Sequence, residues 1–114
     1  LVIGPTKALA HDQLRALATF DFPGVRPAVY DGDATTAERT FARTQANVVF
    51  TNPEMLHGGL LPNHERWAPF LQRLRLVVVD EMHSFRGVFG SHVANDERRH
   101  LPRCCSRRPG RALR

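Results

Sequence analysis

The run from Leu76 to Val79 constrains the fold most strongly, because four consecutive apolar residues end abruptly at two acids, Asp80 and Glu81. A continuous run of leucine and valine is typical of a strand buried on both faces, as strands of parallel sheets are. Acids at the carboxyl end of such a strand lie where open α/β sheets bind ligands. Asp80 could hold Mg²⁺ through its water shell, and Glu81 could position a water that attacks a nucleotide phosphate. The alternative is that both acids only cap the following turn.

Short apolar runs elsewhere in the chain predict three more strands, separated by segments with helical character. The other strands are expected at residues 1–3, 27–30 and 47–50. Helices are expected over residues 7–20 with Thr6 as N-cap, over 35–45 with a capping box of Thr35 and Glu38, over 54–57 where Gly58-Gly59 ends the helix, and over 65–73. Strands that alternate with helices indicate βαβ units, so the predicted fold class is α/β with a parallel sheet.

The net charge of +5 is unevenly distributed along the 114 residues. Residues 1–95 contain nine basic and nine acidic residues, whereas residues 96–114 contain seven arginines and two acids. Any inference of nucleic-acid binding from overall basicity therefore rests on this tail. The tail contains Pro102, Pro109 and Gly110 and shows no apolar periodicity, which predicts disorder.

Several classes of protein do not fit the composition. No apolar stretch approaches the roughly 20 residues of a membrane span, and no signal peptide is visible, so no membrane partner and a cytoplasmic location are expected. The two cysteines are adjacent, Cys104-Cys105, which gives neither zinc spacing nor a favourable structural disulfide. His57 and His64 are interpreted as loop residues and Trp67 as a packing residue.

Polar or conformationally special residues follow every predicted strand. They are Pro5-Thr6-Lys7, Asp31-Gly32, Thr51-Asn52-Pro53-Glu54 and Asp80-Glu81-Met82-His83. Because parallel strands end at one edge of a sheet, these groups should converge although they are far apart in sequence. Threonine hydroxyls, Lys7 and the N–H groups at helix starts suit a phosphate backbone, and the acids suit a metal-bound nucleotide.

This ordered set resembles the first motor domain of superfamily 2 DEAD/DEAH-box helicases. PTKALAHDQ is similar to their motif Ia, TNPEML to motif Ib, and DEMH to the Walker B or DExH motif. The match is closest to bacterial DNA helicases of the mitomycin-repair type, which carry a C-terminal zinc-binding domain; residues 30–33, 59–67 and 85–95 carry that likeness. The resemblance covers residues 1–95 and implies a partial RecA-like ATP-binding domain, followed by the tail at 96–114.

The resemblance also implies roles for individual residues. Asp80 would hold Mg²⁺, Glu81 would activate water, and His83 would link the nucleotide site to the nucleic-acid site. Contact with nucleic acid is assigned to Thr6, Lys7, Asp31, Gly32, Thr51, Asn52 and Arg86, and Arg86 would also help to couple the sites. The implied cofactors are ATP and Mg²⁺. The implied partner is DNA, as a single strand or forked duplex, with RNA as a further candidate.

The sequence departs from the family pattern in ways that predict a fragment without activity of its own. No glycine is followed by lysine, so the P-loop GxxxxGK[ST] is missing, as are motif III and the second motor domain. The chain begins with Leu1 inside a strand-like run, and a frameshift or truncated gene copy would explain the tail. Two alternatives stay open: a non-catalytic nucleic-acid-binding module or inactive gene product, and a fragment of another superfamily 2 DNA-translocating ATPase. A metal site of Asp80, Glu81 and His83 without nucleotide is disfavoured.

Overall fold

The computed structural model describes residues 1–81, which form a parallel four-stranded sheet with helices on both faces. The strands are β1 (Val2–Ile3), β2 (Pro27–Tyr30), β3 (Val48–Thr51) and β4 (Val78–Val79), in the order β2-β3-β1-β4. The helices are α1 (Lys7–Thr19), α2 (Thr36–Thr44), α3 (Pro53–Met55) and α4 (His64–Leu71), with a π-helical turn at Leu56–Leu60. The predicted α/β class is therefore confirmed. The predicted disordered tail, His83 and Arg86 lie outside the described residues.

The connections between the strands place the helices in two layers. The crossover from β1 to β2 runs in the opposite direction along the sheet to those from β2 to β3 and from β3 to β4. Because such crossovers are right-handed, α1 lies on one face, and α2 and α4 lie on the other. The contacts agree, since α2 packs against α4, whereas α1 packs against β2 and β3. No helix of the described part is long and apolar enough to cross a membrane.

Local side-chain hydrogen bonds explain where the two longest helices begin. The Thr6 hydroxyl accepts a hydrogen bond from the Leu9 N–H and caps α1, as predicted. The Thr35 hydroxyl accepts from the Glu38 N–H, and the Glu38 carboxylate accepts from the Thr35 N–H, which completes the predicted capping box of α2. All three bonds satisfy backbone donors that an uncapped helix leaves open.

The main core lies between the sheet and the layer of α2, α4 and the π-helical turn. Ile3, Val49 and Leu60 are fully buried there, together with Trp67. The Trp67 ring contacts the Tyr30 ring edge-on, with centroids 4.7 Å apart. This arrangement confirms that Trp67 is a packing residue.

Two local predictions are wrong. Gly58-Gly59 does not end the helix that follows β3; the chain continues through both glycines in the π-helical turn, whose Leu56 and Leu60 are buried. Burial of these leucines outweighs the weak helix propensity of glycine. The run at 76–79 is also not buried on both faces. Leu76 is 68% exposed and Val78 is 42% exposed, because β4 is the outer strand of the described sheet.

Candidate functional site

The four strand ends form a row along one edge of the sheet. Ile3 is paired in register with both Thr51 and Val79, and Tyr30 is paired with Thr51. The next residue of each strand therefore stands in the same row; in sheet order these residues are Asp31, Asn52, Gly4 and Asp80. The predicted convergence of the polar strand ends is thus present in the backbone. Asp31 and Asp80 stand at its two opposite ends.

Lys7 lies over the turn that follows β2. Its Nζ atom is 3.0 Å from Asp33 Oδ2, and a Cβ atom added at Gly32 would be 3.4 Å from the same Nζ. The hydrogen bond to Asp33, followed by the charge of that carboxylate, raises the pKa of Lys7, so the amine is cationic at neutral pH. A side chain at position 32 would therefore be in ordinary van der Waals contact with the lysine.

A shallow depression of about 310 Å³ opens beside this turn and is lined by Lys7, Gly32, Asn52 and Glu54 among others. Three predicted nucleic-acid-binding residues, Lys7, Gly32 and Asn52, are thus brought together. Lys7 and Asp33 are both solvent-exposed, so the lysine can exchange its carboxylate for a phosphate without uncovering a buried charge. Glu54 is the one carboxylate in the lining and opposes an anion there.

Asp31 is buried, and its role in the structure is to hold the turn. Its carboxylate is 2.9 Å from His11 Nε2 and accepts a hydrogen bond of 2.9 Å from the Asp33 N–H. Burial raises the pKa of Asp31, but the bonds to His11 and to the Asp33 N–H outweigh it, so the pKa lies below its ordinary value. Only 3% of the surface of Asp31 is exposed, and its carboxylate is already bonded to His11 and the Asp33 N–H, so contact with nucleic acid stays a prediction for this residue.

Thr51 and Asn52 are both buried, which changes the interpretation of the second predicted binding motif. The Thr51 hydroxyl donates to the Tyr30 carbonyl at 2.8 Å and is 1% exposed, so it joins β3 to β2 and does not reach the surface. The Asn52 Oδ1 atom accepts from the Met55 N–H and caps α3. Asn52 also lines the depression beside Lys7. Of this pair, only Asn52 lies next to a surface that a nucleic-acid strand could touch.

Asp80 stands at the opposite end of the row and has two donors. Its Oδ1 atom accepts from the Glu81 N–H at 2.9 Å, and its Oδ2 atom accepts from the Gln13 amide at 3.0 Å. Each carboxylate oxygen has two acceptor sites, so each retains one for a metal-bound water. Mg²⁺ prefers oxygen ligands and keeps several waters, so this carboxylate fits the outer-shell role predicted for it. Within residues 1–81, no group of three or more metal-ligating side chains is assembled.

Glu81 has an unusual backbone conformation. Its φ angle is 53°, in the left-handed region that non-glycine residues avoid. Such a conformation costs on the order of 1–3 kcal/mol and is common at functional sites, where the surrounding structure maintains it. The chain therefore turns sharply immediately after Asp80, and Glu81 is exposed at that turn.

Sequence reasoning missed three side chains that organise this edge: His11, Gln13 and Arg39. Arg39 donates to the carbonyls of Gly32 and Ala34, at 3.2 and 2.9 Å, and so braces the turn after β2 from the side of α2. His11 and Gln13 lie within PTKALAHDQ, off the apolar face of α1. Their partners, Asp31 and Asp80, follow β2 and β4, and no local sequence pattern indicates such distant pairs.

Comparisons with known proteins agree with the geometry. A family model described as DEAD/DEAH box helicase matches residues 1–106. The ATP-dependent helicase HRQ1 of Saccharomyces cerevisiae is 50% identical over 109 residues, which are 91% of this chain and 10% of that protein. The uncharacterized ATP-dependent helicase YprA of Bacillus subtilis is 46% identical over 108 residues, which are 92% of this chain and 14% of that protein.

Solved structures show the same likeness in three dimensions. The DUF1998 helicase MrfA bound to DNA and AMPPNP matches 92% of this chain with a TM-score of 0.80 and 43% sequence identity. The match covers 15% of the MrfA chain. The chain thus spans between 10% and 15% of the length of these three proteins.

Proposed function

Because the chain belongs to the DEAD/DEAH box helicase family, we propose that it supplies part of an ATP-driven motor that moves along DNA. The resemblance inferred from the motifs, including the RecA-like fold, is confirmed. The single observation that carries the proposal is the row of strand ends, which has Asp80 at one end and the Lys7–Gly32–Asn52 depression toward the other. One edge of the sheet thus offers separate places for a nucleotide and for a nucleic-acid strand.

ATP use follows from the family, and Mg²⁺ is proposed as the metal. Bound there, the ion would supply positive charge to stabilise the negative charge of the phosphates during phosphoryl transfer. Asp80 would hold the ion through bound water, using the acceptor sites that Gln13 and the Glu81 N–H leave open. Glu81 would orient the attacking water. The described residues contribute this acidic part of the site, and no glycine of the chain is followed by the lysine of a P-loop.

DNA is the proposed nucleic acid. The support is the structure of MrfA, which is described as bound to DNA, together with the cationic Lys7 beside the depression. A single strand or a forked duplex remains the proposed form, with RNA as a further candidate. Thr6 lies at the exposed start of α1 next to Lys7, and contact of this helix start with a phosphate is proposed for both residues. The cytoplasmic location stays a prediction.

The acidic end of the row is tested by Glu81→Gln in the full-length protein that carries this segment. Loss of a carboxylate that orients water should lower the rate of ATP hydrolysis by about 100-fold or more while ATP binding persists. Glu65→Gln is the matched control, because Glu65 is exposed in the first turn of α4, away from the row. Hydrolysis at the parental rate in Glu81→Gln would show that Glu81 is not the base.

The cationic end is tested by Lys7→Ala in the same protein. Loss of one phosphate contact should weaken single-strand binding and reduce the salt dependence of log K by about 0.7. Arg15→Ala is the control, since Arg15 is an exposed cation on the same helix. If both variants show the same salt dependence as the parent, Lys7 does not contact a phosphate.

A further inference from the structure

Gln13 connects α1 to the end of β4 by a hydrogen bond between side chains. Its amide Nε2 donates to Asp80 Oδ2 at 3.0 Å. Side chains alternate along a strand, so Asp80 lies on the same face as Val78, which is in register with Val2 and Phe50. This is the face that α1 covers. The bond is therefore a direct link between that helix and the acidic end of the row.

The orientation of the Asp80 carboxylate depends on this bond. The other carboxylate oxygen of Asp80 accepts from the Glu81 N–H. The backbone N–H of Asp80 donates to the Ile3 carbonyl at 2.8 Å. With a donor on each oxygen, the carboxylate plane is held in one orientation. Without the Gln13 amide, Oδ2 loses its donor, and only the Glu81 N–H remains to orient the carboxylate.

The other end of α1 lies at the cationic part of the site. Thr6 caps the helix and Lys7 lies over Gly32. A nucleic-acid strand held there would therefore touch the first turn of α1. Gln13 lies six positions after Lys7, which is about 9 Å along a helix. Ala10 is the only fully buried residue of α1. Leu9, Leu14 and Leu17 are only partly buried, so fewer buried apolar side chains hold this helix on the sheet than hold the opposite helical layer.

We propose that Gln13 is a positioning residue. It couples the contact of a nucleic-acid strand with the start of α1 to the orientation of the Asp80 carboxylate. A strand that moves the first turn of α1 also moves the Gln13 amide, and with it the carboxylate that would hold the metal. This inference rests on the proposed function, since it assigns a role toward the same metal and the same strand. Coupling of this kind is reciprocal, so the metal-bound nucleotide should also change the affinity for the strand.

The test uses Gln13→Met in the full-length protein, which keeps the length of the side chain and removes the donor. Binding of Mn²⁺ as a substitute for Mg²⁺ is followed by electron paramagnetic resonance with a non-hydrolysable ATP analogue, with and without single-stranded DNA. Removing a hydrogen bond to a charged group should weaken Mn²⁺ binding by roughly threefold to tenfold. The change in Mn²⁺ affinity that DNA causes in the parent should also fall toward none. Gln72→Met is the matched control, because Gln72 is exposed at the end of α4.

The outcomes separate this inference from the proposed function. A parent that binds no Mn²⁺ with the nucleotide overturns both. A parent that binds Mn²⁺ without any response to DNA overturns the coupling alone. If the parent responds to DNA, and Gln13→Met responds by the same factor, Gln13 does not transmit the effect. Gln13→Leu, which also lacks a donor and also suits a helix, provides a second variant if the first fails to fold, and the same response to DNA would overturn the inference.

Discussion

Asp31 should contribute more to stability than any exposed acid of the described residues, and its substitution is the sharpest test of the turn after β2. Asp31→Ala removes the acceptor for both His11 and the Asp33 N–H. Each bond to a charged group is worth about 1.5–3 kcal/mol, and the lower end applies here because His11 is half-exposed. The expected loss of unfolding free energy is therefore about 2–3 kcal/mol. Asp31→Asn keeps an acceptor for the Asp33 N–H and should lose about half as much.

The chain contains its own probe for this measurement. Trp67 is the single tryptophan, and its ring contacts Tyr30, the residue before Asp31. Urea unfolding followed by Trp67 fluorescence gives the free energy of each variant. Asp12→Ala is the control, since the Asp12 side chain is 70% exposed and its loss should change stability by less than about 0.5 kcal/mol. A cost for Asp31→Ala no greater than that of the control would refute the reasoning.

The pH dependence gives an independent check. The pKa of Asp31 is lower in the folded chain than its ordinary value of 3.8, so the folded state favours the ionised form. The stability that this carboxylate contributes is present above pH 3.8 and is lost as the pH falls through the lower folded pKa. The difference in stability between the parent and Asp31→Asn should therefore shrink as the pH falls below about pH 4. A difference that grows in that range would contradict the assignment.

Three further predictions concern other parts of the chain. The 114-residue chain alone should not hydrolyse ATP, because the P-loop pattern is missing; DNA-stimulated phosphate release that Glu81→Gln abolishes would contradict this. Nucleic-acid binding by the same chain should reside mainly in residues 96–114, whose seven arginines release counterions; a 1–95 chain that binds single strands equally well, with the same salt dependence, would show that the tail is not the site. Gly59→Ala should destabilise the fold by about 1–3 kcal/mol, since its Cβ would lie 2.6 Å from the Tyr30 hydroxyl, whereas Gly58→Ala meets nothing within 4 Å; equal unfolding free energies of the two variants would rule out this clash.

Local patterns in the sequence predicted most of the fold. The Thr6 cap and the Thr35–Glu38 capping box depend on residues three positions apart, so their signals are contained in a single segment. Strand ends were predictable for the same reason, and the parallel order then placed them along one edge. The exposure of Leu76 and Val78 was not predictable in this way, because it depends on which strands lie beside β4.

The candidate site was only partly predictable. Lys7, Asn52 and Asp80 lie at the edge of the sheet that the strand ends predicted, and their roles stay predictions. The hydroxyl of Thr51 lies under the surface, since its strand is paired with β2 and its side chain points into the core. The bond between Gln13 and Asp80 joins residues 67 positions apart, and such a contact depends on the completed sheet.

The strand order also has a consequence for how the chain folds. β1 lies inside the sheet, where Val2 pairs on one side with Phe50 and on the other with Val78. It therefore gains its neighbours only after two long loops have closed, and closing such loops is what slows the folding of parallel sheets. During synthesis, Val2 and Ile3 emerge long before either partner and expose apolar side chains and unpaired backbone edges that can pair wrongly. β4 is the last strand of the described sheet to be synthesised, so the segment that ends in the two acids also completes this part of the sheet.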